Sequence, residues 1–181
     1  MSEGHIQHPE KVNVWAGIVG DRVIGPIFFQ ENLTGARYLE FLQKDLVPNL
    51  AILFPCSIEA DVPNRNIWFQ QDGAPSHFAR PVREYLNDVY PGRWIGRRGP
   101  YEWPPRSPDS TPLDFFLWGY LKSKVFKTKP ANIEDLEEGI RQECRLISGE
   151  VIRNVQNEFQ LRLGYCQLVN GHFEYLLTKD Y

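Results

Sequence analysis

The chain has 181 residues, enough for one domain of ordinary size with a real core. An apolar fraction of 42% and a charged fraction of 24% exclude a mostly disordered chain, and a net charge of −3 excludes a nucleic-acid binder that is strongly basic by composition. No apolar run reaches the ~18 residues that span a bilayer, and the polar tail at residues 1–10 holds no signal-peptide core. Cys56, Cys144 and Cys166 form no CxxC pair, so neither a zinc site nor a disulfide framework is expected, and a reduced, intracellular compartment fits.

Residues 11–19 alternate, with Val12, Val14 and Ala16 on one face and Asn13 and Trp15 on the other, which predicts a strand. Gly20-Asp21 signals a turn, and residues 22–30 return as a second strand that Pro26 should weaken or place at an edge. Thr34 is an N-cap candidate for a helix carrying Leu39, Leu42 and Leu46, ended or kinked by Pro48. Residues 51–65 read as irregular. Residues 66–71 read as a short buried strand ending at Asp72, with Gly73 letting the chain turn away.

A helix is predicted from about His77 to Val89, with Pro81 tolerable only in its first turn. Trp94-Ile95 suggests another short strand, and Arg97 to Asp109 a proline-rich, extended and stiff loop. Thr111-Pro112 starts a helix to about Val125. Asn132 caps a third long helix with acids in its first turn, and Ser148 caps a fourth carrying Val151, Val155, Phe159 and Leu163. Phe115, Phe116, Trp118 and Tyr120 cover all sides of their helix and are expected to pack rather than to stack on bases. The layout is α/β, with an antiparallel start, parallel crossovers, no internal repeat and no linker.

Two aspartates stand out. Asp72 ends a buried strand, and Asp114 is the third residue of a capped helix, where the helix dipole favours its ionised form. Either alone reads most simply as a solvated strand end or a helix-end stabiliser. Converged to ~4 Å, two carboxylates would repel by about 4 kcal/mol at an effective dielectric of 20, so a proton or a cation would have to sit between them. Oxygen-only ligands select hard ions such as Mg²⁺ or Mn²⁺, and a pair of such ions serves phosphoryl transfer.

The segments QQDGAPSH (70–77) and WPPRSPDSTPLDFFLWG (103–119) resemble two signature segments of mariner-like transposases, and the hairpin VNVWAGIV…GPIFF resembles the strand pair that precedes them. The resemblance covers the chain from about Lys11 to the helical tail. It implies an RNase H-like mixed sheet with flanking helices and a metal-dependent DDE/D centre over residues 11–181. Asp72 would be the second catalytic acid and Asp114 the third, both metal ligands, while Asp109 would serve the loop. It also implies a first catalytic aspartate on a strand upstream of the hairpin. Before Lys11 the only carboxylates are Glu3 and Glu10, and Asp21 lies in the predicted turn. The chain is therefore expected to be truncated: without the first, central strand and the DNA-binding region before it, marginally stable, and inactive as it stands.

His77 is a candidate for contacting DNA or orienting a metal-bound water, with a surface or capping histidine as the plain alternative. Arg93, Arg97, Arg98 and Arg106 against Glu102 give residues 91–106 a local charge of +3, and Lys122, Lys124, Lys127 and Lys129 lie in a stretch without acids. Such clusters suit a phosphate-tracking groove, although solvated faces look the same. His77, Arg97, Arg98, Arg106, Lys122 and Lys124 are the DNA-contact candidates, whereas the acidic helix at 131–150 should face away from DNA.

The leading expectation is a truncated transposase domain of ancestral Mg²⁺-dependent cleavage and strand transfer, acting in the nucleus on transposon ends and target DNA, as a homodimer or with a full-length transposase, and without a membrane. The alternatives are an inactive DNA-binding or protein-interaction module, and an RNase H-like nuclease.

Overall fold

In the computed structural model, residues 11–54, 67–103 and 111–168 are described. The polar tail at 1–10, the segment at 55–66 with Cys56, Arg106, Asp109 and the end of the chain after Leu168 lie outside them. The question of a first central strand concerns the segment before Lys11 and lies outside them too.

The chain divides into two units, Met1–Glu31 with Ser107–Tyr181 and Asn32–Arg106. The first unit starts with the predicted hairpin, β1 (Asn13–Val19) antiparallel to β2 (Arg22–Phe29). Pro26 is accommodated by a bulge. Trp15 pairs with Ile27 and Gly17 with Ile24, so Gly25 and Pro26 oppose the single residue Ala16. Gly25 has φ +94°, and a Cβ there would lie 3.1 Å from the Trp15 carbonyl oxygen, so the bulge requires glycine.

The inward face of the hairpin is the predicted one. Ala16 is buried, and Val12 and Val14 pack against Leu117, Leu121 and Val125 of one helical segment and Leu136, Ile140 and Cys144 of the next. The first of these begins after Thr111, whose carbonyl accepts from Asp114 and Phe115. It runs as a π-helical turn, Leu113–Leu117, and then as α4 (Trp118–Val125). Of the aromatic run, Phe116, Trp118 and Tyr120 pack half-buried against the core, and Phe115 lies under the Arg162 guanidinium at 4.4 Å.

Helix α5 (Ile133–Leu146) is capped as expected, with Asn132 Oδ1 accepting from the Asp135 amide at 2.8 Å. Its acids pair internally: Arg141 reaches Glu137 and Glu138, and Arg145 reaches Glu138. Burial pushes the Cys144 thiol up to about 11, with Glu143 adding to the shift. Ser148 caps α6 (Gly149–Leu168). The buried stripe of α6 differs from the predicted one. Ile152 and Val155 face inward, whereas Val151 and Leu163 are exposed. The cause is the hairpin turn, which docks on the first two turns of α6. Arg153 and Gln156 donate to Asp21 Oδ2 and to the Gly20 carbonyl, and Gly149 approaches so closely that a Cβ would meet Asp21 Oδ2 at 3.0 Å. Asp21 is therefore a tether for α6.

The second unit begins with α1 (Gly35–Phe41), capped by Thr34 Oγ1 accepting from the Arg37 amide. Pro48 does not end this helix. A π-helical turn, Leu42–Leu46, leads into α2 (Val47–Leu53), which contains Pro48. The wider turn lies where the proline ring would otherwise meet the preceding turn's carbonyls. β3 (Phe69–Gln70) pairs in parallel with β4 (Trp94–Ile95), and α3 (Arg80–Val89) crosses between them. Among the described residues the antiparallel and parallel pairs form two separate two-stranded sheets.

The core of this unit joins Tyr38, Phe41, Leu42, Leu46 and Leu50 with Phe69, Val82, Leu86, Tyr90 and Trp94, all buried. Trp94 donates its indole N–H to Asn87 Oδ1 at 2.8 Å. The Tyr90 hydroxyl is buried without a hydrogen-bond partner, and burial pushes its pKa up to about 12. An unpaired buried hydroxyl keeps its desolvation cost, so Tyr90→Phe is expected to stabilise the protein by about 1 kcal/mol. A lowered thermal midpoint for that variant would contradict the assignment.

Candidate functional site

The local fold around Asp72 is set by strand alternation. Phe69 and Gln71 point inward and are buried, while Trp68 and Asp72 point out and are exposed. The chain then leaves the sheet in a tight turn. The Ala74 amide donates to Asp72 Oδ1 at 2.9 Å, and the His77 amide to the Ala74 carbonyl at 2.9 Å. The turn owes its shape to the aspartate side chain rather than to glycine, because Gly73 does not adopt positive φ. The expected helix start at His77 is also displaced. Residues 72–78 are spent on this turn, Ala79 is extended, and α3 begins at Arg80 with Pro81 in its first turn.

The His77 ring lies inside the turn. Its Nδ1 sits 2.5 Å from Asp72 Oδ1, its centroid is 4.3 Å from that of Tyr38, and 14% of its side chain is exposed. The buried amide of Gln71 secures the arrangement, donating to the His77 carbonyl at 2.8 Å while its Oε1 accepts from the Tyr38 hydroxyl at 3.1 Å. The hydrogen bond from His77 holds the Asp72 carboxyl below the usual carboxylate range. Partial burial opposes that shift, and the Ala74 amide and the His77 charge add to it.

Arg97 and Arg98 gather beside the same turn. Arg97 packs over the Phe78 ring at 4.2 Å and lies against Gly73, where a Cβ would meet its Cδ at 3.6 Å. Arg98 lies 5.7 Å from the same ring with φ +60°, a left-handed backbone that a non-glycine residue rarely adopts. This loop is not uniformly extended, as the prolines had implied. Gly99 donates back to the Gly96 carbonyl at 3.0 Å, and Tyr101 bridges in parallel to Ile95. Proline restrains only itself and its predecessor, and Gly96 and Gly99 leave the chain free to reverse.

The structure thus brings Asp72, His77, Arg97 and Arg98 together in one unit. Asp114, Lys122 and Lys124 lie in the other. Asp114 is exposed in the π-helical turn, and the two lysines occupy the last turn of α4, where the helix dipole favours cations. Lys124 also lies over the Tyr120 ring at 5.6 Å. Sequence reading missed Tyr38 and Gln71. The signal was present for Gln71, since strand alternation puts it on the same inward face as Phe69.

As a ligand for a hard cation, Asp72 fits: it is an ionised, half-exposed carboxylate with one oxygen hydrogen-bonded and the other taking no hydrogen bond among the described residues. Among the described residues, no group of three or more His, Cys, Asp or Glu side chains is gathered around a point where an ion would sit. No described helix is long and apolar enough to cross a membrane.

This is an RNase H-like α/β fold, of the kind found in transposase catalytic domains. In particular, it is similar to the crystal structure of the catalytic domain of Mos1 mariner transposase, with a TM-score of 0.68 at 18% identity over 92% of this chain and 78% of that one. The pre-cleavage Mos1 transpososome gives the same TM-score at 17% identity, covering 96% of this chain and 49% of that one. In sequence, the chain is 24% identical over 155 residues to the Tc3 transposase of Caenorhabditis elegans, covering 84% of this chain. The chain spans 42% of that relative's length. No family model matches. The chain therefore carries, in part, the fold of a mariner-like transposase catalytic domain.

The lowered Asp72 pKa fixes a sign. A carboxyl depressed in the folded state contributes stability above its unfolded pKa of about 3.9, and that contribution fades as pH falls through the folded value. In chelator-treated protein, Asp72→Asn should lower the thermal midpoint at pH 6, and the gap to wild type should close towards pH 2. A gap independent of pH would show that the ionised carboxylate does not hold the turn.

Proposed function

We propose that the chain is part of a DNA transposase: a metal-dependent domain that cuts phosphodiesters at transposon ends and joins the freed 3′-hydroxyl to target DNA. The observation that carries this reading is the Asp72 turn, a carboxylate at the end of a parallel strand with one oxygen held, and with Arg97 packed against Gly73 and Phe78 of the same turn. Both acids offer oxygen ligands, the donor type that Mg²⁺ and Mn²⁺ take. Structures of the Mos1 catalytic domain with Mg and with Mn, and of its transpososome, support the same choice of ion and of nucleic-acid partner.

In this reading Asp72 and Asp114 would each serve as a metal ligand, and the metals would supply activation of the attacking oxygen and stabilisation of the leaving one. Arg97 and Arg98 would bind phosphates at the Asp72 turn, and Lys122, Lys124 and, from outside the described residues, Arg106 are the further DNA-contact candidates. Work on chromosomal DNA would put the protein in the nucleus, and synapsis of two ends would call for a second copy or a full-length transposase. A second reading is DNA binding without cleavage, which Arg97 and Arg98, both set against the Phe78 ring, would serve equally.

Nicking of supercoiled plasmid separates the two. The transposase reading expects Mg²⁺- or Mn²⁺-dependent nicks that chelator, Asp72→Asn and Asp114→Asn each abolish, and such nicks would overturn the inactivity expected from the sequence. DNA binding with no nicks in either metal, or nicks that survive both substitutions, would overturn it. Arg98→Gly tests the phosphate binding independently. Glycine relaxes the left-handed position, so the fold should be as stable or more so, by up to about 1 kcal/mol, while DNA affinity falls and its log–log salt slope drops by about 1. An unchanged slope would remove Arg98 from the interface.

A further inference from the structure

We propose that His77 is the positioning residue of Asp72: its Nδ1–H holds Oδ1 in the turn, so that Oδ2 is the oxygen presented to the metal. The inference rests on the reading of Asp72 as a metal ligand and adds which oxygen does the work and what orients it.

The geometry is one-sided. Oδ1 accepts twice, from His77 Nδ1 at 2.5 Å and from the Ala74 amide at 2.9 Å, whereas Oδ2 takes no hydrogen bond among the described residues. A carboxylate whose two oxygens are treated so differently has one rotamer and one open face. An ionised carboxylate only accepts hydrogen bonds, so the proton of this pair sits on His77 Nδ1.

His77 is itself held from three sides. Tyr38 packs against its ring at 4.3 Å between centroids, the His77 backbone carbonyl accepts from Gln71 Nε2, and the His77 backbone amide donates to the Ala74 carbonyl. Gln71 is buried, and its Oε1 is satisfied by the Tyr38 hydroxyl. Tyr38 is anchored in α1, whose first residue, Gly35, abuts the chain just before α3: a Cβ there would fall 2.5 Å from Ala79 Cβ. The chain of contacts therefore runs from the packed helix α1 through Tyr38, Gln71 and His77 to one carboxylate oxygen. A histidine that merely capped the turn would need none of it, because the Ala74 amide already closes the turn on Asp72.

Partners that orient a metal ligand change metal affinity by about 10–100-fold when removed. The test is Mn²⁺ binding to the full 181-residue chain, read as free Mn²⁺ by electron paramagnetic resonance, with circular dichroism confirming the fold. Asp72→Asn should abolish binding, and His77→Ala should weaken it about 10–100-fold. His77→Asn, whose amide nitrogen takes the place of Nδ1, should restore most of the affinity, and His77→Gln, whose nitrogen falls near Nε2, should not. If His77→Ala binds Mn²⁺ like wild type while Asp72→Asn does not, the positioning role is overturned and the ligand reading stands. Equal loss in all three His77 variants also overturns it. Mn²⁺ binding unchanged by Asp72→Asn overturns both. Independently of any variant, nitrogen-15 NMR of the wild-type ring should show a proton on Nδ1, and a ring protonated only on Nε2 would overturn the proposal.

Discussion

The buried amide of Gln71 is the interaction on which the rest of the candidate site depends. It faces the core beside Phe69, where an unpaired polar group costs about 1–3 kcal/mol, and it escapes that cost only by bonding to Tyr38 on one side and to the His77 carbonyl on the other. Those two bonds lock the turn after β3 to helix α1. The outward neighbour of Gln71 on the strand is Asp72, so the residue that fixes the turn and the residue that carries the charge are set by the same alternation. A one-residue slip of β3 would exchange them and put a carboxylate in the core.

The other unit is organised by a different tether. Its hairpin covers α4 and α5 with Val12, Val14 and Ala16, and its turn is held to α6 by Asp21 and the Gly20 carbonyl. This decides which face of α6 is buried and leaves Leu161, Tyr165 and Leu168 exposed near its end. Asp114 stands at the start of the helical segment that the hairpin covers, and its backbone is fixed by the Thr111 carbonyl and the π-helical turn. Packing below and an acid at the rim is the common pattern of both units.

Much of this was legible in the residues. The hairpin followed from alternation and a Gly-Asp turn, and the caps Thr34, Asn132 and Ser148 from side-chain oxygens preceding helical periodicity. The strand–turn placement of Asp72 was legible because an apolar run stopped there. Three features were not. Neither π-helical turn is encoded by residue propensity, and the chain runs on as helix through Pro48 where a stop or a kink was expected. The start of α3 was misplaced because the bonds of Asp72 to Ala74 and His77 compete with helix formation, and side-chain competition of that kind depends on geometry. The buried stripe of α6 was misread because two apolar stripes are available, and the docked hairpin turn chooses between them. Of the candidate site, Asp72, His77, Arg97 and Arg98 were read individually. Their assembly through Tyr38 and Gln71 required the fold.

The central claim is that one oxygen of Asp72 is prepared for a divalent cation. The most direct measurement is a crystal of the chain grown with Mn²⁺, with anomalous scattering recorded at the manganese edge. The account predicts an anomalous peak about 2 Å from Asp72 Oδ2, with Oδ1 still bonded to His77 and to the Ala74 amide. A manganese ion bound through Oδ1 with the His77 bond broken, or bound at a site that excludes Asp72, would contradict it.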